Sequence, residues 1–366
     1  MFSFFHDIIT FFSLFYKKHS LVFFSESKQY SKFFKPMFLE LEKKNLDYIY
    51  ICKNDDFLIN EIKKKNLKIF YTSFFLLNAF SVLNCKLLIM TTPDIGRFGL
   101  KRSRFCDVLI YFFHSSVSTH MIYNEGAFDG YDVIFCVGNH HLIELEERFT
   151  KIKKNTKLIK AGYPYLDFLI KNKNKFNCTP NKILVAPSWN SVNQNYYFDY
   201  FHKIITKLLS LNFKVIFRPH PEYVKRYSDS YQKFIDNFVH QKNFETDVSA
   251  NSFQSQAESE FLISDWSGIS FEYAFVFERP VLFVDSEKKI LNKNYNDIVN
   301  KPVEISKREN LGKIINIEDF DKIGLYLDEL KLNRSIYIRK IKELRDNIIY
   351  NINNSTNTIA EYIKNH

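Results

Sequence analysis

The chain has little glycine or proline, 9 of each in 366 residues, which excludes collagen-like and Pro/Gly-rich low-complexity architectures. Its five cysteines (Cys52, Cys85, Cys106, Cys136 and Cys178) are odd in number and far apart. Most sit inside apolar runs, the setting of reduced core thiols and not of a disulfide framework. No His and Cys residues cluster at metal-ligand spacing, so neither a metal nor a resident cofactor is expected. Zinc-finger spacing, an RNP-like segment and a basic helix are all missing, which sets nucleic acid aside as a partner. The apolar start, Met1 to Phe15, falls short of the roughly 20 residues needed to cross a bilayer.

What is present is aromatic and basic. Phe contributes 39 residues, and aromatic side chains make up 17% of the chain. The net charge of +10 comes from 51 basic and 41 acidic groups, with lysines spread along the whole length. Such a surface suits anionic partners: nucleotide phosphates, an acidic glycan, or an anionic membrane face. His6 and Asp7 interrupt the apolar start, which also lacks a basic beginning and a small-residue cleavage site, so a signal peptide is not expected. Lys17, Lys18 and His19 follow it. Two readings stay open: an aromatic-rich helix on a membrane surface, or a first helix packed on its own domain.

The length suits two domains of roughly 150 to 200 residues. Short apolar strands alternate with helical segments, the pattern of a parallel sheet flanked by helices. Strands are expected at 20–24, 47–52, 67–71, 85–91, 108–113, 132–137 and 156–161, with helices at 32–44 and 140–149. The polar stretch 171–181 is the best linker, which gives an N-terminal domain over 1–175 and a C-terminal one over 176–366. In the second, strands are expected at 182–186, 213–217, 261–263 and 280–284, with a helix at 197–209 and a helical tail from Ile317, part of which is free to cross back. The fold class is α/β, with two Rossmann-like domains facing across a cleft. Ligands of open parallel sheets bind at the carboxyl ends of the strands.

Those ends carry the candidate chemistry. Arg218-Pro219-His220-Pro221 closes one strand, and each proline holds the residue before it extended. Arg218 suits phosphate oxygens, and His220 suits donation to a leaving phosphate or proton transfer near neutral pH. Ser264-Asp265-Trp266-Ser267-Gly268 runs from a strand into a helix start, where backbone N–H groups and the helix dipole hold phosphate. Ser188 closes a neighbouring strand, and Glu272, one turn into the helix, suits ribose hydroxyls. An N-cap serine with a solvated glutamate is the plainer reading. In the first domain His114, followed by Ser115 and Ser116, ends a strand. A histidine in each domain suits one base for an acceptor hydroxyl and one group that steadies the departing phosphate. His120, His140 and His141 compete for the first role; His140 and His141 are expected to cap the helix that follows them.

At Arg218-Pro219-His220-Pro221, Ser264 to Gly268 with Glu272-Tyr273, and Arg279-Pro280-Val281-Leu282-Phe283, the chain resembles the CDP-glycerol glycerophosphotransferase family. These are teichoic-acid and capsule polymerases and primases that transfer a polyol phosphate from a CDP-polyol. The resemblance lies mainly in the second half, with His114 as the link in the first. It departs from the family pattern at His114-Ser115-Ser116, where members often carry His-Gly-Thr, and at Gly268, where they carry serine. The resemblance implies a GT-B fold, with the nucleotide-activated donor in the C-terminal domain and a glycan or lipid-linked acceptor in the N-terminal one. It also implies a cytoplasmic site, peripheral on the inner membrane face. His114 and His220 then become catalytic, while Arg218, Ser188, Ser264, Asp265, Ser267, Gly268 and Glu272 bind the donor, with no cofactor beyond the CDP-linked substrate. A GT-B glycosyltransferase using a nucleotide-sugar and a non-catalytic glycan- or membrane-binding module are the alternatives.

Overall fold

The structure, a computed structural model, describes residues 2–97, 100–189 and 194–366, with the side chains of all of these except 2 and 194–197. Asn190, two residues past the strand-end Ser188, lies outside the described residues. Two wholly parallel sheets organise the chain. The first contains β1 (His19–Phe24), β2 (Ile49–Lys53), β3 (Leu67–Phe70), β4 (Cys85–Met90), β5 (Cys106–Phe112), β6 (Val133–Cys136) and β7 (Lys157–Lys160), in the order β3-β2-β1-β4-β5-β6-β7. The second contains β8 (Thr179–Val185), β9 (Lys214–Phe217), β10 (Phe244–Thr246), β11 (Ser259–Ser264), β12 (Val281–Asp285) and β13 (Gly312–Asn316), in the order β10-β9-β8-β11-β12-β13. The second is the doubly wound order of a Rossmann domain, with its switch point between β8 and β11.

Parallel strands are covered on both faces, so they run apolar without alternation. Val22, Phe23 and Phe24 of β1, and Ile183, Leu184 and Val185 of β8, are fully buried. The two strands that sequence periodicity missed are edge strands. β10 offers one apolar residue in three, and β13 starts at a glycine.

The chain divides into two compact units. Unit 1 comprises Met1–Phe168, Leu291–Asn300 and Ile348–His366; unit 2 comprises Leu169–Ile290 and Lys301–Asn347. The passage expected at 175/176 therefore lies at Phe168/Leu169, inside the helix Pro164–Asn172. The end of the expected linker, Thr179 to Asn181, is already part of β8. The last helix, Ser355–Lys364, belongs to unit 1, where Lys44 bonds Glu361 at 2.7 Å.

The first helix, Phe2–Tyr16, has two faces. Leu14 and Asp7 are buried, and the Asp7 carboxylate accepts Tyr71 N–H, Thr72 N–H and the Thr72 hydroxyl, each at 2.9 Å. The acid inside this apolar run thus satisfies the start of the helix Ser73–Val82, whose N-cap is Thr72. Phe4, Phe5, Ile9, Phe12 and Tyr16 are exposed. Among the described residues no helix is long and apolar enough to cross a membrane.

The return of the chain to unit 1 is clamped at Gly138, which bridges to Ile349 while Tyr350 N–H bonds Val137 O at 2.9 Å. A Cβ at Gly138 would lie 1.6 Å from the Ile348 carbonyl oxygen, a backbone atom that cannot swing aside. Gly138→Ala should therefore destabilise the protein by about 3 kcal/mol, the upper end of overpacking costs. Urea unfolding at equilibrium checks this, and a change within about 0.5 kcal/mol, typical of a neutral surface substitution, would mean that the clamp is not made.

Candidate functional site

In unit 2 the carboxyl ends of β9, β8, β11 and β12 stand side by side, and their loops are cross-tied. Ser188 gives its N–H to Asp265 Oδ1 at 2.6 Å and its hydroxyl to Asp265 Oδ2 at 3.0 Å. The Ser264 hydroxyl donates to Ala186 O at 2.6 Å. Trp266 Nε1–H reaches Ser286 O at 3.0 Å, and the Ser286 hydroxyl approaches Asp265 at 3.5 Å. Ser188, Ser264 and Asp265, expected to touch the donor, thus close the switch point between β8 and β11. Burial pushes the Asp265 carboxyl up, and the bonds from Ser188 oppose it.

Arg218 is also engaged. Its Nη1 lies 2.7 Å from Asp247 Oδ2, and its Nη2 donates to Ser249 O at 2.8 Å. The guanidinium joins the end of β9 to the segment after β10, a partnership that no spacing in the sequence announces. Tyr273 and Arg279 lie with the other end of β11: the Tyr273 hydroxyl donates to Ser259 O at 3.0 Å, and Arg279 Nη1 to the same oxygen at 2.6 Å.

What these ties leave for a ligand is the half-buried His220 and the start of the helix Ile269–Phe277, whose body is buried. The helix begins at Gly268 with no side-chain cap. Ser270 N–H and Phe271 N–H bond back to Ser267 O and Gly268 O at 3.1 and 3.2 Å, so among the described residues it is the N–H groups of Gly268 and Ile269 that remain for a ligand. Ser267 and Gly268 are half-buried there, with Glu272 in the first turn. Gly268 adopts φ −61°, ψ −20°, an ordinary right-handed conformation, so its backbone does not require glycine. His220 caps the short helix Pro221–Arg226: its Nδ1 accepts Glu222 N–H at 3.3 Å, which leaves the proton on Nε2. Burial, helped by the Lys289 and Arg218 charges and opposed by Glu222, pulls its pKa down to about 4. At neutral pH His220 is an uncharged donor through Nε2–H.

In unit 1, His114 stands two residues past β5. Its ring packs edge-on to Tyr30 (5.1 Å between centroids) and beside Phe33 (5.7 Å), and its carbonyl accepts the Tyr163 hydroxyl at 2.9 Å. The loop after it hangs on one helix, Asn139–Lys151. His140 Nε2 bonds Ser116 O at 2.9 Å, and His141 Nε2 bonds Val117 O at 2.7 Å. Glu144 accepts Thr119 N–H at 2.7 Å and the Thr119 hydroxyl at 2.8 Å, with His120 Nδ1 at 3.3 Å. His140 and His141 therefore do not cap this helix, whose N-cap is Gly138; they reach back to the loop that carries His114.

A family model described as CDP-Glycerol:Poly(glycerophosphate) glycerophosphotransferase matches residues 8–364. The chain belongs to this family. Membership makes it a transferase, and it extends the resemblance at the strand ends to both units. Among solved structures, the wall teichoic acid polymerase TagF is similar over 94% of this chain and 88% of its own, with 16% identity and a TM-score of 0.64. A histidine variant of TagF soaked with CDPG matches 99% of this chain and 93% of its own at 15% identity, TM-score 0.62. UDP-GlcNAc 2-epimerase from Neisseria meningitidis matches 96% of this chain and all of its own at 13% identity, TM-score 0.59. At such identities these likenesses establish the fold, the two Rossmann-like domains of the GT-B class. No curated protein sequence matches the chain.

The histidines of this family member make it acid-sensitive. Burial, with His140 adding to it, holds His141 down to about 3, and its neutral ring uses both nitrogens, since Val137 N–H points at Nδ1 (3.4 Å). For Glu144 burial acts upward, but the hydrogen bond from His120 and the neighbouring histidines hold it down to about 2. Each folded pKa lies below its unfolded value, so the unfolded chain binds more protons and stability falls with pH: from about 6.5 towards 3 for His141, and from about 4.5 towards 2 for Glu144. His141→Gln should flatten the stability profile between pH 6.5 and 3 by up to about 1.4 kcal/mol per pH unit. Urea midpoints across that range test this, and an unchanged slope would remove His141 from the linkage.

Proposed function

We propose that this chain transfers glycerol phosphate from CDP-glycerol to a hydroxyl of a cell-surface glycan or a lipid-linked acceptor. The observation that carries the reading is His220, a neutral Nε2–H donor on the carboxyl edge of the unit-2 sheet that also holds an uncapped helix start. That pair suits a diphosphate: N–H groups and the helix dipole for one phosphate, a directed donor for the oxygen that leaves. Ser267 and Gly268 supply backbone to the phosphates, and Glu272 suits the ribose hydroxyls. Ser188, Ser264, Asp265 and Arg218 act on the donor by fixing the loops around it.

In this mechanism His114 accepts the proton of the acceptor hydroxyl, whose oxygen bonds to the β-phosphorus of the donor. The bond from that phosphorus to the bridging oxygen breaks, and CMP departs with the electron pair while His220 donates a hydrogen bond to it. His220→Ala should lower kcat by about 10²- to 10³-fold, the cost of removing one such donor. His114→Ala should lower it by about 10²- to 10⁴-fold, as for loss of a general base. CMP release and mass spectrometry of the product test both. Turnover that survives both substitutions would remove these roles, and a product that gains a hexose without phosphorus would favour a nucleotide-sugar glycosyltransferase.

The exposed aromatic face of the helix Phe2–Tyr16 supports a peripheral seat on an anionic membrane. Phe74 and Leu77, on the helix it anchors, and Phe105 are exposed as well, and Lys17 and Lys18 follow directly. Aromatic side chains next to lysines suit the headgroup layer. Replacing Phe4, Phe5 and Phe12 together by serine should abolish co-sedimentation with phosphatidylglycerol vesicles and leave CMP release from the donor in the presence of a soluble acceptor intact. Equal sedimentation of the variant and the parent would assign this face elsewhere.

A further inference from the structure

Among the described residues at the carboxyl edge of the unit-2 sheet, Arg218 and Arg308 are matched cations. Arg218 meets Asp247 at 2.7 Å. Arg308, from the helix Arg308–Leu311, meets Asp285 at 3.0 Å and lies over the Trp266 ring, 4.1 Å from its centroid. Lys289, in the loop after β12, is not matched: among the described residues no hydrogen bond or ion pair holds its ammonium.

Its surroundings make that omission costly. Lys289 is half-buried, and burial pulls its pKa down against the opposing charges of Asp265 and Glu304. Its charge adds to burial in lowering the pKa of His220. Its loop is fixed, because Ser286 accepts the Trp266 indole N–H and donates towards Asp265. The same two residues lead into the uncapped helix start at Gly268. A cation partly withdrawn from water, with no carboxylate at ion-pair distance among the described residues, costs free energy, and an anion that arrives from solution recovers part of that cost. Lysine is a compact point charge with three rotatable donors, which suits the varied oxygens of a diphosphate.

We propose that Lys289 is the ammonium that binds the diphosphate of the nucleotide-activated donor. This rests on the reading of unit 2 as the donor domain. It adds a residue that lies outside the strand-end motifs, in a loop whose sequence, Ser286-Glu287-Lys288-Lys289, looks like a solvated charged turn.

Isothermal titration of the full chain and its Lys289→Met variant with CDP, cytidine and inorganic pyrophosphate tests it. Methionine keeps the length of the stem and removes the charge. CDP should bind the variant at least about tenfold more weakly, while cytidine changes by less than about twofold, a split that equals about 1.4 kcal/mol on the phosphates alone. Without ligand, the variant should melt no lower than the parent, since an unmatched charge has been removed. Equal CDP affinity in the two proteins would overturn the inference and leave the donor reading standing. If the parent does not bind CDP, the donor reading fails, and pyrophosphate decides for Lys289: weaker binding to the variant keeps the anion site, while equal or absent binding ends it. A variant that melts several degrees lower would give Lys289 a structural partner and overturn the proposal as well.

Discussion

The structure depends on carboxylates that gather loop backbone, Asp265, Glu144 and Asp7 among them buried. A parallel sheet satisfies its own ladder but leaves each connecting loop with N–H groups that must find an acceptor. In unit 2 Asp265 takes Ser188 N–H and closes the switch point. In unit 1 Glu144 takes Thr119 N–H, Asp132 takes Leu109 N–H, and Asp7 takes two N–H groups at the start of a helix. Asp167 does the same for the returning chain, accepting Asn353 and Ser355 N–H. A carboxylate offers about four acceptor sites, so one side chain can hold two strands of backbone in register. The candidate site is what these ties leave outside them.

Much of this was legible because burial on both faces writes parallel strands as plain apolar runs. The strand ends, and with them His114, His220 and the start of the helix after Ser267, follow from those runs. The ties themselves are not legible. Asp247 is 29 residues beyond Arg218, and Thr119 is 25 residues before Glu144; only the fold makes them neighbours. His140 and His141 show the limit most sharply. A pair of polar residues near a helix start suggests capping, yet the rings are buried and point to the carbonyls of Ser116 and Val117. The segment Leu291–Asn300 carried no signal at all. It belongs to unit 1 through backbone N–H groups of Leu291 and Asn292 on Met121 O and through side-chain amides, Asn292 on His120 O and Asn294 on Glu125, and neither kind of bond is distinguishable in sequence from those of a solvated loop.

The family-like positions divide into two kinds once their contacts are known. Tyr273 and Arg279 converge on Ser259 O, and Ser264 and Asp265 bind Ala186 and Ser188, so these positions shape the sheet and its loops. The Ser267 hydroxyl, the Gly268 N–H and His220 Nε2 have no partner among the described residues. A pattern of residues shared across a family thus mixes scaffold with chemistry, and hydrogen-bond satisfaction is what separates them.

That separation bears on the role open to His220. Its Nδ1 is committed to Glu222 N–H and its pKa lies at about 4, so at neutral pH it holds one proton, on Nε2, and has no second to give. A general acid in that state would have to release the Nε2 proton of a neutral imidazole, which is prohibitive. The proposed leaving group asks for less. CMP departs as a phosphate whose second pKa is about 6, low enough to leave without being protonated. A fixed hydrogen bond to the bridging oxygen is then sufficient, and the burial that removes the charge from His220 costs the proposed reaction nothing.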